Sequence, residues 1–192
     1  MELTVKNKRY TVIENIDENT FKVSYKDKVF IIKTFSEESF ETFVKHSREL
    51  KITGIPIRKV LKVDKKEKTA LIEYIPYEHT VLEELINDNP SELCLKEIFK
   101  ISWYAKHGNL NLNYKPDNFA FYKDKMYYLS YEMEYGFDKA KSFELEGIRY
   151  WFYTKEFINY LAAKGREYDK SRLKDEYKTN KEIVLAVCRY SR

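Results

Sequence analysis

The chain changes from a strand pattern to a helix pattern near residue 76, and this change limits its fold more than any other feature. Short β-branched and aromatic runs fill the first third, such as residues 20–25 and 29–34, and charged turns separate them. Helix signals dominate the remainder. We therefore expect an α+β protein with an antiparallel sheet plus one helix over residues 1–76 and a mostly helical part over residues 77–192.

Helix boundaries are marked by capping residues. Ser36 opens a helix that runs to about Ile52, where Gly54 stops it. Asn89 is the expected N-cap of a second helix, with Pro90 in its first turn. A hairpin is expected over residues 119–129, a long helix from Ser142 to Gly165, and a final helix over about residues 181–189.

Composition excludes several classes of protein. Of the 192 residues, 43% are hydrophobic, which is enough to build a core and excludes global disorder. No apolar run approaches the roughly 18 residues that a membrane helix needs, so we expect no membrane partner. Cys94 and Cys188 lack the spacing of metal ligands and are expected to be reduced thiols, which predicts a cytoplasmic location.

The net charge of +4 is concentrated at the C-terminal end. From Lys164 to Arg192 there are nine Lys or Arg residues against five Asp or Glu, which equals the whole excess. The same segment contains Tyr168, Tyr177 and Tyr190. Basic residues interleaved with aromatic ones favour RNA or DNA as a partner for this segment.

Two further features carry residues suited to chemistry. Lys33 ends an apolar strand, where its ammonium group needs a carboxylate or a phosphate as partner unless it reaches water at a sheet edge. The segment Asn113-Tyr114-Lys115-Pro116-Asp117-Asn118 directly precedes the expected hairpin, and Ser130 and Glu132 follow that hairpin. An ordinary polar turn is the alternative interpretation of this segment.

In their order and separation, these residues resemble the protein-kinase superfamily. The likeness extends from about Thr11 to Lys164 and is greatest to its small atypical members: the RIO kinases, the archaeal kinase of the tRNA threonylcarbamoylation complex and the aminoglycoside phosphotransferases. Residues 113–118 match the catalytic loop, and residues 129–131 match the start of the Asp-Phe-Gly segment.

The resemblance implies a two-lobe fold, with ATP and Mg²⁺ bound between the lobes, and a role for each matching residue. Lys33 would bind the nucleotide phosphates, with Glu49 or Glu41 as its helix partner, and Glu73 would approach the hinge. In the second lobe, Asn113 would orient the acceptor hydroxyl and Lys115 would shield the transferred phosphate. The implied metal ligands are Asn118, Ser130 and Glu132, with Glu134 as an alternative to Glu132.

Three departures from the family pattern predict that this chemistry is lost. Asn113 stands where the family has the Asp that accepts a proton, and Ser130 stands where it has the Asp that binds Mg²⁺. Counted back from Val23, the three positions of the glycine-rich loop contain other residues: Ile16, Glu18 and Phe21.

These departures lead to three hypotheses. The first is a pseudokinase that acts by binding a protein partner and binds ATP and Mg²⁺ weakly or not at all. The second is an atypical but active ATP-dependent protein kinase or small-molecule phosphotransferase. The third is a binding module for nucleic acid that uses the basic C-terminal segment.

Overall fold

The computed structural model describes residues 1–173 and 176–191, and it confirms the α+β class. The chain divides into two compact units. The first, called the sheet unit, consists of Met1–Ile52 and Ile57–Pro76. The second, called the helical unit, consists of Thr53–Pro56 and Tyr77–Arg192.

The sheet unit is a six-stranded antiparallel sheet with one helix, α1, between its fourth and fifth strands in sequence. The strands lie in the order β1-β2-β3-β4-β6-β5. The bounds of these elements are β1 Glu2–Val5, β2 Lys8–Asp17, β3 Thr20–Tyr25, β4 Lys28–Thr34, α1 Glu37–Ile52, β5 Val60–Asp64 and β6 Thr69–Glu73.

The sheet curls around its own apolar core. The backbone N–H of Lys6, in the turn after β1, donates a 2.7 Å hydrogen bond to the carboxylate of Asp64 at the end of β5. Because β1 and β5 are the two edge strands, this bond links the opposite edges of the sheet. The core cluster comprises five buried residues: Val5, Tyr10, Val23, Ile32 and Leu71.

Local signals correctly predicted the bounds of α1. The Ser36 hydroxyl accepts a hydrogen bond from the backbone N–H of Ser39, as expected of an N-cap. Phe40, Phe43 and Leu50 form the buried stripe of the helix. Gly54 follows with φ of +83°, a conformation that glycine adopts without strain.

The helical unit contains four described helices and two small antiparallel sheets, in which β7 pairs with β10 and β8 with β9. The bounds are α2 Val81–Asn87, α3 Glu92–His107, β7 Leu110–Leu112, β8 Phe119–Tyr122, β9 Lys125–Tyr128, β10 Met133–Tyr135, α4 Lys155–Ala163 and α5 Glu176–Tyr190. The hairpin formed by β8 and β9 is the one expected over residues 119–129.

The long helix expected from Ser142 to Gly165 is wrong. Irregular turns and a short 3₁₀ segment, Gly147–Tyr150, occupy its first half, and α4 begins only after Thr154. The Thr154 hydroxyl caps α4 by accepting the N–H of Phe157 and donates its own hydrogen to the carbonyl of Arg149. The Thr154 side chain thus bonds to the preceding turn and to the first turn of α4. These bonds favour a helix that begins here over one that continues from Ser142.

Other helix boundaries also differ from expectation. Ser91, not Asn89, caps α3, because its hydroxyl accepts the N–H of Cys94. The final helix, α5, begins at Glu176, five residues earlier than expected. The short elements α2, β7 and β10 were not predicted.

Among residues 1–173 and 176–191, no helix combines the length and the apolar character that crossing a lipid bilayer would require.

Candidate functional site

Strand pairing in the helical unit brings the two predicted halves of a site together. β7 ends directly before Asn113, and β10 begins directly after Glu132. The two strands are antiparallel, with Leu112 paired to Met133. The polar loop, residues 113–118, and the segment 129–132 therefore leave the same end of this two-stranded sheet.

The buried hydroxyl group of Tyr128 connects these two segments. It accepts a 3.3 Å hydrogen bond from the backbone N–H of Asn113 and donates a 2.7 Å hydrogen bond to the carbonyl of Glu132. The side chain is fully buried, and burial raises the pKa of Tyr128 to about 12. Tyr128 therefore stays protonated at neutral pH and donates to Glu132. Sequence reasoning missed this residue.

Within the polar loop, Asn113 and Asn118 bond to neighbouring backbone and side-chain groups. The Asn113 side-chain oxygen accepts the N–H of Lys115 at 3.2 Å. The Asn118 amide nitrogen donates to the Asn113 carbonyl, also at 3.2 Å. These bonds shape a turn, and they engage the side-chain oxygen that would orient a hydroxyl group.

Ser130 also bonds to its own segment. Its hydroxyl oxygen accepts a 3.1 Å hydrogen bond from the backbone N–H of Glu132. The adjoining Leu129 donates its N–H to the carbonyl of Asn118 at 2.8 Å, which connects this segment to the polar loop. The structure thus brings Asn113, Asn118 and Ser130 into one group of hydrogen-bonded segments.

Lys115 points at aromatic rings. Its ammonium nitrogen lies 2.8 Å from the centroid of the Tyr150 ring and 5.2 Å from that of Tyr160. A cation in this position is stabilised by the negative faces of the rings. The sequence analysis did not identify Tyr150 as a partner of Lys115.

Tyr160 also approaches Asp117 of the polar loop. Asp117 forms a 2.7 Å ion pair with Lys164, at the C-terminal end of α4. Burial, together with the hydrogen bond to Asp117 and its negative charge, raises the pKa of Tyr160. Asp117 therefore links the polar loop to the C-terminal end of α4 through this ion pair.

A buried aromatic cluster packs against the polar loop. The indole N–H of Trp151 donates a 2.7 Å hydrogen bond to the carbonyl of Tyr114. The Trp151 ring also packs at 5.4 Å from both Phe119 and Phe143, measured between ring centroids. Trp151 is fully buried, so this contact fixes the backbone between Asn113 and Lys115.

A cleft of about 350 Å³ opens beside the polar loop. Asn113, Lys115 and Glu132 are the predicted site residues on its wall. Glu134, the predicted alternative to Glu132, also lies on the wall and forms a 2.5 Å ion pair with Lys141 of the same wall. The remaining lining residues are Asn111, Leu112, Tyr114, Met133, Glu146, Gly147 and Tyr150.

In the sheet unit, Lys33 lies on a central strand and is half-buried. On β4 it pairs with Thr20 of β3 on one side and Ala70 of β6 on the other, so the alternative of an edge-strand lysine is wrong. Its charge acts on Asp17: burial alone would raise that carboxyl's pKa, but hydrogen bonds from Asn19 and Thr20, together with Lys33, lower it.

The three glutamates predicted to act with the nucleotide also belong to the sheet unit. Glu41 is exposed on α1, and Glu49 is half-buried on the same helix. Glu73 accepts the N–H of Lys59 at 3.3 Å. Their roles toward a nucleotide stay predictions.

Val23, from which the three positions of the expected glycine-rich loop were counted, does not share a sheet face with Lys33. Directly paired residues in a sheet point to the same face. Val23 pairs with Phe30, whereas Lys33 is an odd number of residues further along β4 and points to the opposite face. Thr20, Lys22 and Ser24 are the β3 residues that share the face of Lys33.

The oxygen atoms near Ser130 fit a divalent cation poorly. Glu132 is the one carboxylate among the three predicted ligands, and Ser130 and Asn118 supply neutral oxygens. Mg²⁺ prefers carboxylates and phosphates with several waters. Over residues 1–173 and 176–191, no group of three or more His, Cys, Asp or Glu side chains is arranged to hold a metal ion.

Comparison of the chain with models of known protein families gives no match, and comparison with curated proteins gives none either.

Proposed function

We propose that this protein is a kinase-like pseudokinase that acts by binding a protein partner and does not transfer phosphate. The proposal includes a two-lobe, kinase-like arrangement of the sheet unit and the helical unit. It also includes the cytoplasmic location expected from the sequence.

The chemistry of the polar loop carries this proposal. At the two positions where phosphoryl transfer needs carboxylates, the side chains are the neutral groups of Asn113 and Ser130. Both use an oxygen to bond their own turn, at 3.2 Å and 3.1 Å. An amide cannot accept a proton at neutral pH, so Asn113 cannot act as a general base.

Lys115 supports the same conclusion. A lysine that shields a transferring phosphate must reach the phosphate, whereas this ammonium group lies against the Tyr150 ring and near the Tyr160 ring. Leaving the rings would forfeit a cation–π interaction of about 0.5–2 kcal/mol. The cleft beside the polar loop is then available to a ligand or a partner without phosphate chemistry.

Glu132 favours a second candidate, an atypical active phosphotransferase. Its carboxylate is exposed on the wall of the cleft that also contains Asn113 and Lys115. One carboxylate at this position could compensate in part for Ser130. Because removal of a single electrostatic group often lowers a rate by about 10²–10³, such an enzyme would be slow.

Nucleotide binding is tested by thermal shift with ATP and Mg²⁺. The pseudokinase hypothesis predicts a small rise in melting temperature or none. The stabilisation grows with the ratio of the ligand concentration to the Kd, so it is small when binding is weak. Any stabilisation should disappear in Lys33→Ala and persist in Lys62→Ala, a control that removes a half-buried lysine from β5.

Phosphate transfer from labelled ATP to a generic protein substrate separates the two candidates. The pseudokinase predicts no incorporation by the wild-type protein and measurable incorporation by the double variant Asn113→Asp/Ser130→Asp. Incorporation by the wild type that is lost in both Lys33→Ala and Glu132→Gln would reject the pseudokinase in favour of the slow enzyme.

A further inference from the structure

A second concave surface of the helical unit lies between α3 and the end of α5. This groove has a volume of about 360 Å³. Its wall on α3 follows helical spacing, with residues 96, 99, 100 and 103 on one face. The complete set of lining residues is Lys96, Phe99, Lys100, Trp103, Tyr104, Arg189 and Tyr190.

Trp103 is the most unusual residue of the groove. It is 44% exposed, although burying an indole ring ordinarily stabilises a fold. One face of the ring stacks on His107, with centroids 3.9 Å apart and planes inclined by 29°. The His107 ring donates a 2.8 Å hydrogen bond to the Trp103 carbonyl, which holds the stack in place. Trp103 is therefore a rigid, accessible aromatic platform.

The charges of the groove are all positive. Lys96, Lys100 and Arg189 contribute ammonium and guanidinium groups, and no carboxylate is among the lining residues in the described part of the chain. Lys100 has a 3.5 Å contact with Glu97, and Arg189 has a 3.9 Å contact with Glu92. Arg189 and Glu92 are both exposed, and an exposed pair of this kind is weak enough to exchange for a phosphate. Lys100 is half-exposed at 50%, so its ammonium group reaches solvent although Glu97 is buried.

We propose that this groove binds single-stranded nucleic acid, with bases stacked on Trp103 and Tyr190 and backbone phosphates bound by Lys96, Lys100 and Arg189. Flat rings and cations in one groove match unpaired bases and the phosphates that connect them. A protein partner would need apolar or acidic contacts instead. The inference is independent of the kinase-like site, because the groove shares no residue with the cleft beside the polar loop.

The proposal refines the sequence-based hypothesis of a basic C-terminal segment. Tyr190 and Arg189 belong to that segment and line the groove. Tyr177 is 80% exposed and is not a lining residue, and neither is Tyr168. The lysines of α3, which the sequence hypothesis left out, supply the rest of the positive charge.

Fluorescence anisotropy with a labelled single-stranded oligonucleotide tests the proposal. RNA and DNA of the same mixed sequence form two arms, and a duplex forms a third. We expect saturable binding of a single strand with a Kd of about 10⁻⁶ M or below at low salt, and weaker binding of the duplex, whose bases are already stacked. Trp103→Ala should weaken binding by about fivefold to 150-fold.

Charge reversal provides the matched comparison. Lys96→Glu/Lys100→Glu should weaken binding and reduce the slope of log K against log salt by about 1.4, because each phosphate contact contributes about 0.7. Lys65→Glu/Lys66→Glu makes the same change in net charge at exposed positions of the β5–β6 turn and should leave both quantities unchanged.

Tryptophan fluorescence gives a readout that a general loss of stability would not produce. The chain has two tryptophans, Trp103 and the buried Trp151. A stacked base should quench the wild type but not Trp103→Phe, which retains only Trp151. The proposal is overturned if neither single strand binds, if the duplex binds as tightly, or if the control and groove variants lose affinity equally.

Discussion

The indole N–H of Trp151 donates a 2.7 Å hydrogen bond to the backbone carbonyl of Tyr114, across 37 residues of sequence. Both residues are buried, so water cannot replace the bond. Tyr114 stands between Asn113 and Lys115, and the bond therefore determines where the polar loop lies. A contact so distant in sequence links the candidate site directly to the packing of the helical unit.

Replacing Trp151 by Phe should destabilise the protein by about 1–3 kcal/mol. The substitution leaves the Tyr114 carbonyl buried without its donor, which costs the desolvation of that group. Urea denaturation measures the difference. Trp103→Phe, at an exposed site, is the control and should change stability by less than about 0.5 kcal/mol. Equal effects of the two substitutions would contradict the role assigned to Trp151.

Tyr128→Phe should also lower the free energy of unfolding by about 1–3 kcal/mol. The variant keeps the ring but deprives the Asn113 N–H and the Glu132 carbonyl of their common partner. Tyr177→Phe removes a hydroxyl from a side chain that is 80% exposed and should be neutral. A neutral Tyr128→Phe would mean that the hydroxyl does not connect the two segments.

Stability should fall as the pH rises from 10 to 12, and Tyr128 should account for part of the fall. The phenol of the unfolded chain ionises near pH 10, whereas the folded pKa is about 12. Between these values the folded state binds more protons, so raising the pH favours unfolding. The shift corresponds to about 3 kcal/mol.

Urea titrations of the wild type and Tyr128→Phe at about pH 9, 10, 11 and 12, which span the ionisation of tyrosine, isolate this contribution. The quantity compared is the free energy of unfolding of the two proteins. Because burial also raises the pKa of Tyr114, both proteins should lose stability, but the wild type should lose more. Parallel curves would show that Tyr128 is not protonated preferentially in the folded state.

Gly147→Ala should destabilise the protein by about 1–3 kcal/mol through overpacking. A Cβ atom at residue 147 would lie 2.7 Å from Tyr114 Cβ and 3.0 Å from Phe143. Gly136→Ala is the control without overpacking, because a Cβ atom added there would meet nothing within 4 Å. Its φ of +84° is unfavourable for alanine. That control should cost about 1 kcal/mol from backbone conformation alone.

Chemical denaturation of the two glycine variants measures these costs. Nuclear magnetic resonance shifts around Tyr114 add a second readout, since Gly147→Ala should move them and Gly136→Ala should not. If Gly147→Ala is as stable as the wild type, the close packing of Gly147 on Tyr114 is wrong.

Lys33→Met should raise the pKa of Asp17, because the positive charge of Lys33 contributes to lowering it. When folding lowers a carboxyl pKa, the folded protein is stabilised at every pH above the pKa of the unfolded state. This stabilisation is lost as the pH falls through the pKa of the folded state. The variant should therefore lose less stability on acidification. Titration of the Asp17 carboxyl carbon by nuclear magnetic resonance measures the shift, with Lys62→Met as the control.

Elements with strong local signals could be predicted from the sequence. The Ser36 cap and Gly54 defined α1, and the charged turn at Lys26 and Asp27 defined the β3–β4 hairpin. Both turn residues have positive φ, at 46° and 59°, as a tight hairpin turn requires. Such signals depend on residues within a few positions of one another, so no tertiary information is needed.

Tertiary contacts decided what the sequence could not reveal. The helix expected from Ser142 is interrupted where Trp151 bonds to Tyr114, and that bond leaves no trace in local periodicity. β7 and β10 are three residues each, too short for a recognisable pattern, yet their pairing brings the site together. The sequence marked Lys115 as a site residue, but only the fold brings Tyr150 beneath its ammonium group.

The hydrogen bond from Lys6 to Asp64 has a consequence for the behaviour of this protein at high concentration. Exposed strand edges are templates on which another chain can add a strand, and this is a common route to aggregation. Here the two edge strands, β1 and β5, turn toward each other, and the carboxylate of Asp64 binds the backbone N–H of Lys6 in the turn that follows β1. Self-association through β-addition is thereby disfavoured by the geometry of the curl.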